Sequence, residues 1–149
     1  MRRAALILAL VVACTWAGTA GATSRPKTAP GAVSATSWHR TGASVFGQPC
    51  DPWETVGYRG DSLNANPLTF AELGMGTYLG GLKYRQKIRV KDMVSKRSIT
   101  LWKIDIGLGG SAIAGLRRGL DVLWPALRRL LKGRASCSWT GQLWWRVLK

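Results

Sequence analysis

Glycine interrupts every long run in this chain, and that limits the fold more than any other feature. The sequence holds 18 glycines. Gly74, Gly76, Gly80 and Gly81 fall within residues 70–82 and argue against a long helix there. Gly57 and Gly60, with Asn64 and Asn66, make residues 51–67 loop-like. What survives between the breaks is short and β-like. Residues 43–46 form a first strand, ended by Gly47-Gln48-Pro49. Residues 84–91 ("YRQKIRVK") alternate, with Tyr84, Gln86, Ile88 and Val90 on one face and Arg85, Lys87, Arg89 and Lys91 on the other. Residues 99–106, 120–123 and 141–148 complete the strands visible from composition. One helix fits, with Pro125 in its first turn, Leu127, Leu130 and Leu131 as its buried stripe and Gly133 as its stop. The expectation is a mostly-β domain with one short helix near its C-terminal end.

The first residues have a different logic. Met1-Arg2-Arg3 precedes an apolar run over residues 4–12 that is too short to span a bilayer. Small residues end in Ala20-Gly21-Ala22, so residues 1–22 read as a secretory signal peptide. Val11-Val12-Ala13-Cys14 loosely resembles a lipobox, which leaves a lipid anchor at Cys14 as the alternative. Residues 23–36, rich in Ala, Thr, Pro, Ser and Gly, read as a flexible tether. Residues 37–149 are enough for one core and one domain. No other segment is apolar enough to cross a membrane, so the protein is expected in the cell envelope or outside the cell.

Cleavage after Ala22 removes two of the 22 basic residues and none of the 7 acidic ones, which leaves a net charge of +13. That charge favours anionic wall polymers and headgroups and implies no specific nucleic acid. Cys50 and Cys137 remain, an even pair in an oxidising compartment. A structural disulfide is the preferred reading over a redox or metal pair, because one histidine and two distant cysteines make no zinc site. No metal or cofactor is expected, and the chain is expected to be a monomer.

Several motifs have bland readings. "GLGGSA" (residues 107–112) formally matches a dinucleotide loop, but too little chain follows for a βαβ series, so it reads as a turn where bulky side chains cannot fit. Residues 116–134 resemble a basic amphipathic helix of the membrane-surface kind, yet Gly119, Asp121 and Pro125 break it. Membrane action stays a minor alternative. Trp144 and Trp145 face opposite sides of one strand, and exposed tryptophans suit sugar rings. His39 carries no nucleophile motif around it. With so few acids, Asp105 and Asp121 stand out, each after a β-like run and beside a glycine turn. They read either as a carboxylate pair for glycosidic chemistry or as caps and partners of Arg117 and Arg118.

Five pieces in order resemble the RlpA-like (rare lipoprotein A-like) and expansin-like double-psi β-barrels. "TGASVFG" (41–47) looks like the opening G-x-A-[ST]-[WY]-[YF]-G strand, and "LTFAELG" (68–74) like the T-A-A-H segment. "KIRVKDMVSKRSITLWKIDIGLGG" (87–110) is similar to the paired strands with an aspartate turn. "RRGLDVLWPALRRL" (117–130) resembles the R-x-[IL]-D-[LV]-S segment, and "LWWRVLK" (143–149) the closing strand. The resemblance implies a six-stranded double-psi β-barrel with a polysaccharide groove. It makes Asp105, Asp121 and Glu72 the candidate acids and Ser44 a candidate substrate-binding residue, and Trp102, Arg117 and Arg118 join Ser44 as candidate substrate-binding residues. It implies a secreted envelope protein acting on peptidoglycan or a related wall glycan, with lytic transglycosylase cleavage as the implied reaction. The alternative is non-catalytic glycan binding or wall loosening. Glu72 stands where the RlpA pattern has histidine, Leu123 replaces a serine, and Val45 replaces an aromatic residue.

Overall fold

The structure, a computed structural model, describes residues 37–149. The expected signal peptide, the tether and Cys14 lie outside the described residues. Six strands close into a barrel: β1 (His39–Phe46), β2 (Thr69–Glu72), β3 (Lys87–Asp92), β4 (Ser98–Ile106), β5 (Arg118–Leu123) and β6 (Gly141–Val147). Their order around the barrel is β1-β5-β2-β4-β3-β6. β1 pairs with β5 and β2 with β4 in parallel, and the other four pairings are antiparallel. A left-handed turn, α1 (Leu73–Gly76), follows β2, and a helix, α2 (Trp124–Leu131), follows β5.

Most expected strands are present with shifted ends. β1 starts four residues earlier than expected, at His39. The basic strand begins at Lys87 because Arg85 takes a left-handed φ of 59° and turns away to pair with Asp61 at 2.8 Å. Ile88 and Val90 are buried, and Lys87, Arg89 and Lys91 face outward, as the alternation predicts. The helix stops at Leu131, two residues before Gly133, where Lys132 leaves helical geometry with φ 54°. β2 had no alternation to betray it, since all four of its residues are buried.

The interior is sealed at both mouths. Ala43, Phe70, Ile88, Val90, Leu101, Leu120, Val122 and Leu143 fill it. At one mouth, α2 inserts Ala126, Leu127, Leu130 and Leu131 into the same core. At the other, Glu72 and Lys103 form a buried ion pair at 2.6 Å. Glu72 Oε1 accepts the amides of Leu79 (2.8 Å) and Gly81 (3.0 Å), and Oε2 that of Leu82 (2.9 Å). Lys103 Nζ also donates to the Leu82 carbonyl at 2.6 Å. The segment after α1 is thereby folded over the barrel end. Cys50 and Cys137 form the expected disulfide, 87 residues apart in sequence. It ties the loop after β1 to the segment before β6.

Glu72→Ala should cost about 3–5 kcal/mol in a urea melt, because it strands a buried ammonium. Adding Lys103→Met should restore less than half of that, because three amides still lack their acceptor. Replacing both cysteines by serine should lower stability by about 2–4 kcal/mol by the same assay.

Candidate functional site

The chain's seven acids can be assigned one by one. Four serve local structure. Asp51 accepts the Trp53 amide, and Asp61 takes the Tyr84 hydroxyl and Arg85. Glu72 holds the barrel mouth. Asp92 pairs with Arg134 and caps the β3–β4 turn through the Ser95 amide at 2.7 Å. The three that remain, Glu54, Asp105 and Asp121, converge on one face.

Strand register does this. Ser44 on β1 lies opposite Asp121 on β5, Asp121 opposite Ala71 on β2, and Ala71 opposite Asp105 on β4. One rung therefore reads Ser44–Asp121–Ala71–Asp105 across four strands. With neighbouring strands ~4.8 Å apart, the two aspartates are two strand spacings, or ~10 Å, apart at their backbones. Ala71 between them is buried and lies under Leu63. A register shift between Phe70 and Ala71 skips Ile104. Without it Ala71 would face Ile104, and Asp105 would point into the barrel beside Lys103.

Two loops wall this rung. Residues 50–66 lie over the outer face, with Leu63 packed on Phe46, Ala71, Ile104 and Leu123. From this loop the Tyr58 amide donates to Asp105 Oδ1 at 2.9 Å, and the Ile106 amide donates to the same oxygen at 2.9 Å. Glu54 sits on the same loop. On the other side is the glycine turn. A Cβ at Gly110 would stand 2.0 Å from the Arg118 guanidinium, and one at Gly109 2.9 Å from the Tyr78 ring. That turn is glycine-rich because an arginine and a tyrosine lie on its backbone, as the steric reading expected. Arg117 in turn stacks over Tyr78 at 4.7 Å.

Burial on this face raises the proton affinity of all three carboxyls. Burial pushes the Asp121 carboxyl up to about 6, with Asp105 adding to the rise while Ser44 and Arg118 oppose it. Burial likewise raises Glu54 to about 6, helped by Asp105, Asp51 and Asp121, against the Gly47 amide. Burial also raises Asp105, held back by the Ile106 and Tyr58 amides. Ser44 Oγ, Asp121 Oδ1 and Arg118 Nε make no full hydrogen bond within the protein. The serine and arginine stand near enough to favour the Asp121 anion without saturating it.

The structure thus brings Ser44, Asp105, Asp121 and Arg118 together, with Arg117 at the edge. It does not bring Glu72, which is fully buried on the inner side with its oxygens committed. Trp102 is exposed but faces Lys87 and a shallow depression shared with Asn66, Arg85 and Ile104, apart from the rung. Glu54 was missed, since nothing in "DPWETV" marks it; only the loop's path over the barrel puts it near the aspartates. A larger depression on the exposed side of α2 is lined by Pro125, Arg128, Arg129 and Lys132 and has no carboxylate, so the acids locate the site and volume does not.

The folded chain keeps the Asp121 proton up to pH about 6, and the unfolded chain loses it near the ordinary value of 3.8. Between those values the folded state carries the extra proton, so stability from this group is greatest at low pH and falls as pH rises through 6. Asp121→Asn should therefore raise stability at pH 7.5 by roughly 1–3 kcal/mol and flatten the slope between pH 4 and 7 in urea melts. An unchanged slope would sink this assignment.

No protein-family model matches the sequence, and no curated protein matches it in sequence. Solved structures do match. The apo expansin of Clavibacter michiganensis superposes with a TM-score of 0.50 at 15% identity, over 76% of this chain and 51% of that one. An aspartate-to-asparagine mutant of the same expansin, in complex with cellohexaose, matches with a TM-score of 0.50 at 14% identity, over 76% of this chain and 51% of that one. The chain thus spans about half the length of the expansin chains it matches. With the closed order β1-β5-β2-β4-β3-β6, these matches make the fold an expansin-like double-psi β-barrel.

Proposed function

We propose that the chain acts on an extended polysaccharide of the cell envelope, laid across β1, β5, β2 and β4, with Asp121 as the acid. The observation that carries this reading is the rung itself. A carboxyl that keeps its proton to pH about 6 sits beside the Ser44 hydroxyl and an Arg118 Nε that has no partner in the protein, on one rung with a second carboxylate. A guanidinium nitrogen left without a partner, beside a hydroxyl and a carboxyl, suits the hydroxyls of a sugar. The complex of the matching expansin with cellohexaose supports a glycan as occupant. The expected signal peptide, net charge and RlpA-like motifs support a wall glycan such as peptidoglycan.

The chemistry follows from the protonation states. Asp121 gives its proton to the glycosidic oxygen, and the bond from that oxygen to the anomeric carbon breaks. Asp105, tied to two amides, faces the positive charge that develops on the sugar ring. The sugar's own 6-hydroxyl closes on the anomeric carbon, and its proton returns to the Asp121 carboxylate. The products are a free 4-hydroxyl end and an anhydro end, with atoms and protons balanced. No protein nucleophile is needed, and Glu72 has no part in the reaction.

A second reading has its own support. Asp105 Oδ1 is already bonded to two amides, and the rung lies on four hydrogen-bonded strands. A groove of this kind can hold a glycan and compete with its packing in the wall without cleaving it.

Digestion of purified sacculi, with and without stem peptides, separates the two. Cleavage predicts anhydro-ended fragments by mass analysis, reduced at least 100-fold in Asp121→Asn and about tenfold in Ser44→Ala. Pelleting with sacculi, weakened by those same substitutions and with no released sugar, would leave the binding reading.

A further inference from the structure

The groove leaves a second surface unused. Outward residues of three adjacent strands lie in register on it. Lys87 is opposite Trp102 and Lys91 opposite Ser98, while Lys91 also faces Trp144 and Arg89 faces Arg146. Lys87 Nζ stands 4.4 Å over the Trp102 ring. Lys91 Nζ is 6.0 Å from Trp38 and 5.8 Å from Trp144, and the Arg146 guanidinium is 5.0 Å over Trp38. Arg89 is held by the hydroxyls of Ser98 at 3.1 Å and Thr100 at 3.0 Å. The outward positions named here carry four cations and three indoles and no acid. Asp92, at the end of β3, is turned inward to Arg134. Trp144 Nε1 and Arg146 Nε are donors with no acceptor in the protein.

We infer that this β4–β3–β6 face is a second binding site, for an acidic polysaccharide whose sugar rings carry carboxylates. It does not depend on the reading of the groove. A solvated strand edge would explain lysines, but this is no edge, because β3 is paired on both sides. Nor does an edge-protecting role need tryptophans between the cations. Indole faces pack the apolar faces of sugar rings, and ammonium and guanidinium groups take the carboxylates on the same rings. Lys87 and Lys91 are four strand residues apart, ~13 Å, so one extended chain can meet both. A ring-free polyanion would use the charges and leave the indoles idle.

The test is alginate binding by the full chain across a salt series. Lys87→Glu with Lys91→Glu is compared with Arg128→Glu with Arg129→Glu, which removes the same charge from the exposed side of α2. Lys87→Gln with Lys91→Gln repeats the first pair without reversal, and a thermal melt checks that each variant folds. The site predicts at least tenfold weaker binding for Lys87→Glu/Lys91→Glu, and a salt dependence shallower by about 1–2 in log–log slope. It predicts under threefold change for the α2 pair, weakening in Trp144→Ala, and no change in Asp121→Asn. Equal losses in the two charge-matched pairs would reduce the effect to net charge and overturn the site. Tighter binding of single-stranded DNA than of alginate, or no alginate binding by the unaltered protein, would overturn the occupant.

Discussion

The buried pair of Glu72 and Lys103 is the contact on which the rest of the barrel depends. Six short strands enclose little volume, and a barrel with an open mouth would let water reach Phe70, Leu101 and Leu120. An ion pair is a poor seal by itself, because taking both charges out of water costs nearly what their attraction returns. Here it works because the carboxylate also takes three amides and the ammonium takes a carbonyl. Those bonds fold residues 77–82 across the opening as α2 covers the opposite one. The same pair holds the segment that carries Tyr78, whose ring lies against the glycine turn.

Closing the interior leaves polar chemistry only the outer surface, and the sheet irregularities decide which side chains reach it. β5 alternates plainly, with Leu120 and Val122 in and Asp121 out. β4 would not deliver its aspartate outward without the shift beside Ala71. One extra residue turns a would-be core carboxylate into a groove carboxylate. Its removal from water then raises its proton affinity, against the pull of two amides. The parallel pairings β1–β5 and β2–β4 bring together residues as far apart in sequence as Ser44 and Asp121.

Much of this was readable in the residues. Alternation in "KIRVKD", the proline-led helix and the crowded glycine turn each follow from local stereochemistry, and each is found. The pair of aspartates stands out in the sequence because acids are scarce and these two sit at strand–turn junctions, and the strands place them on one rung. Glu72 misled because its neighbours in sequence give no hint that a loop will arch back onto it. Glu54 was invisible for the converse reason: its environment is made by Asp105 and Asp121, which are 51 and 67 positions further on. Trp102 is a surface indole as a sugar-binding reading requires, but its strand position aims it at Lys87. Single-residue chemistry was legible, and the meeting of distant residues was legible only through a resemblance that supplied strand order.

The disulfide has a mechanical side. Its covalent loop encloses β2, β3, β4, β5 and α2, and leaves β1 and β6, which pair with each other, outside. A pull on the N-terminal end of β1 runs along β1 between β5 and β6. Lengthwise load shears all the bonds of those two ladders at once, where a crosswise load would open them singly. Any slippage that passes Phe46 meets the crosslink at Cys50 four residues later. Tension at that end is thus shared between the ladders of β1 with β5 and β6, and slippage is stopped by a covalent bond where the loop of residues 50–66 begins.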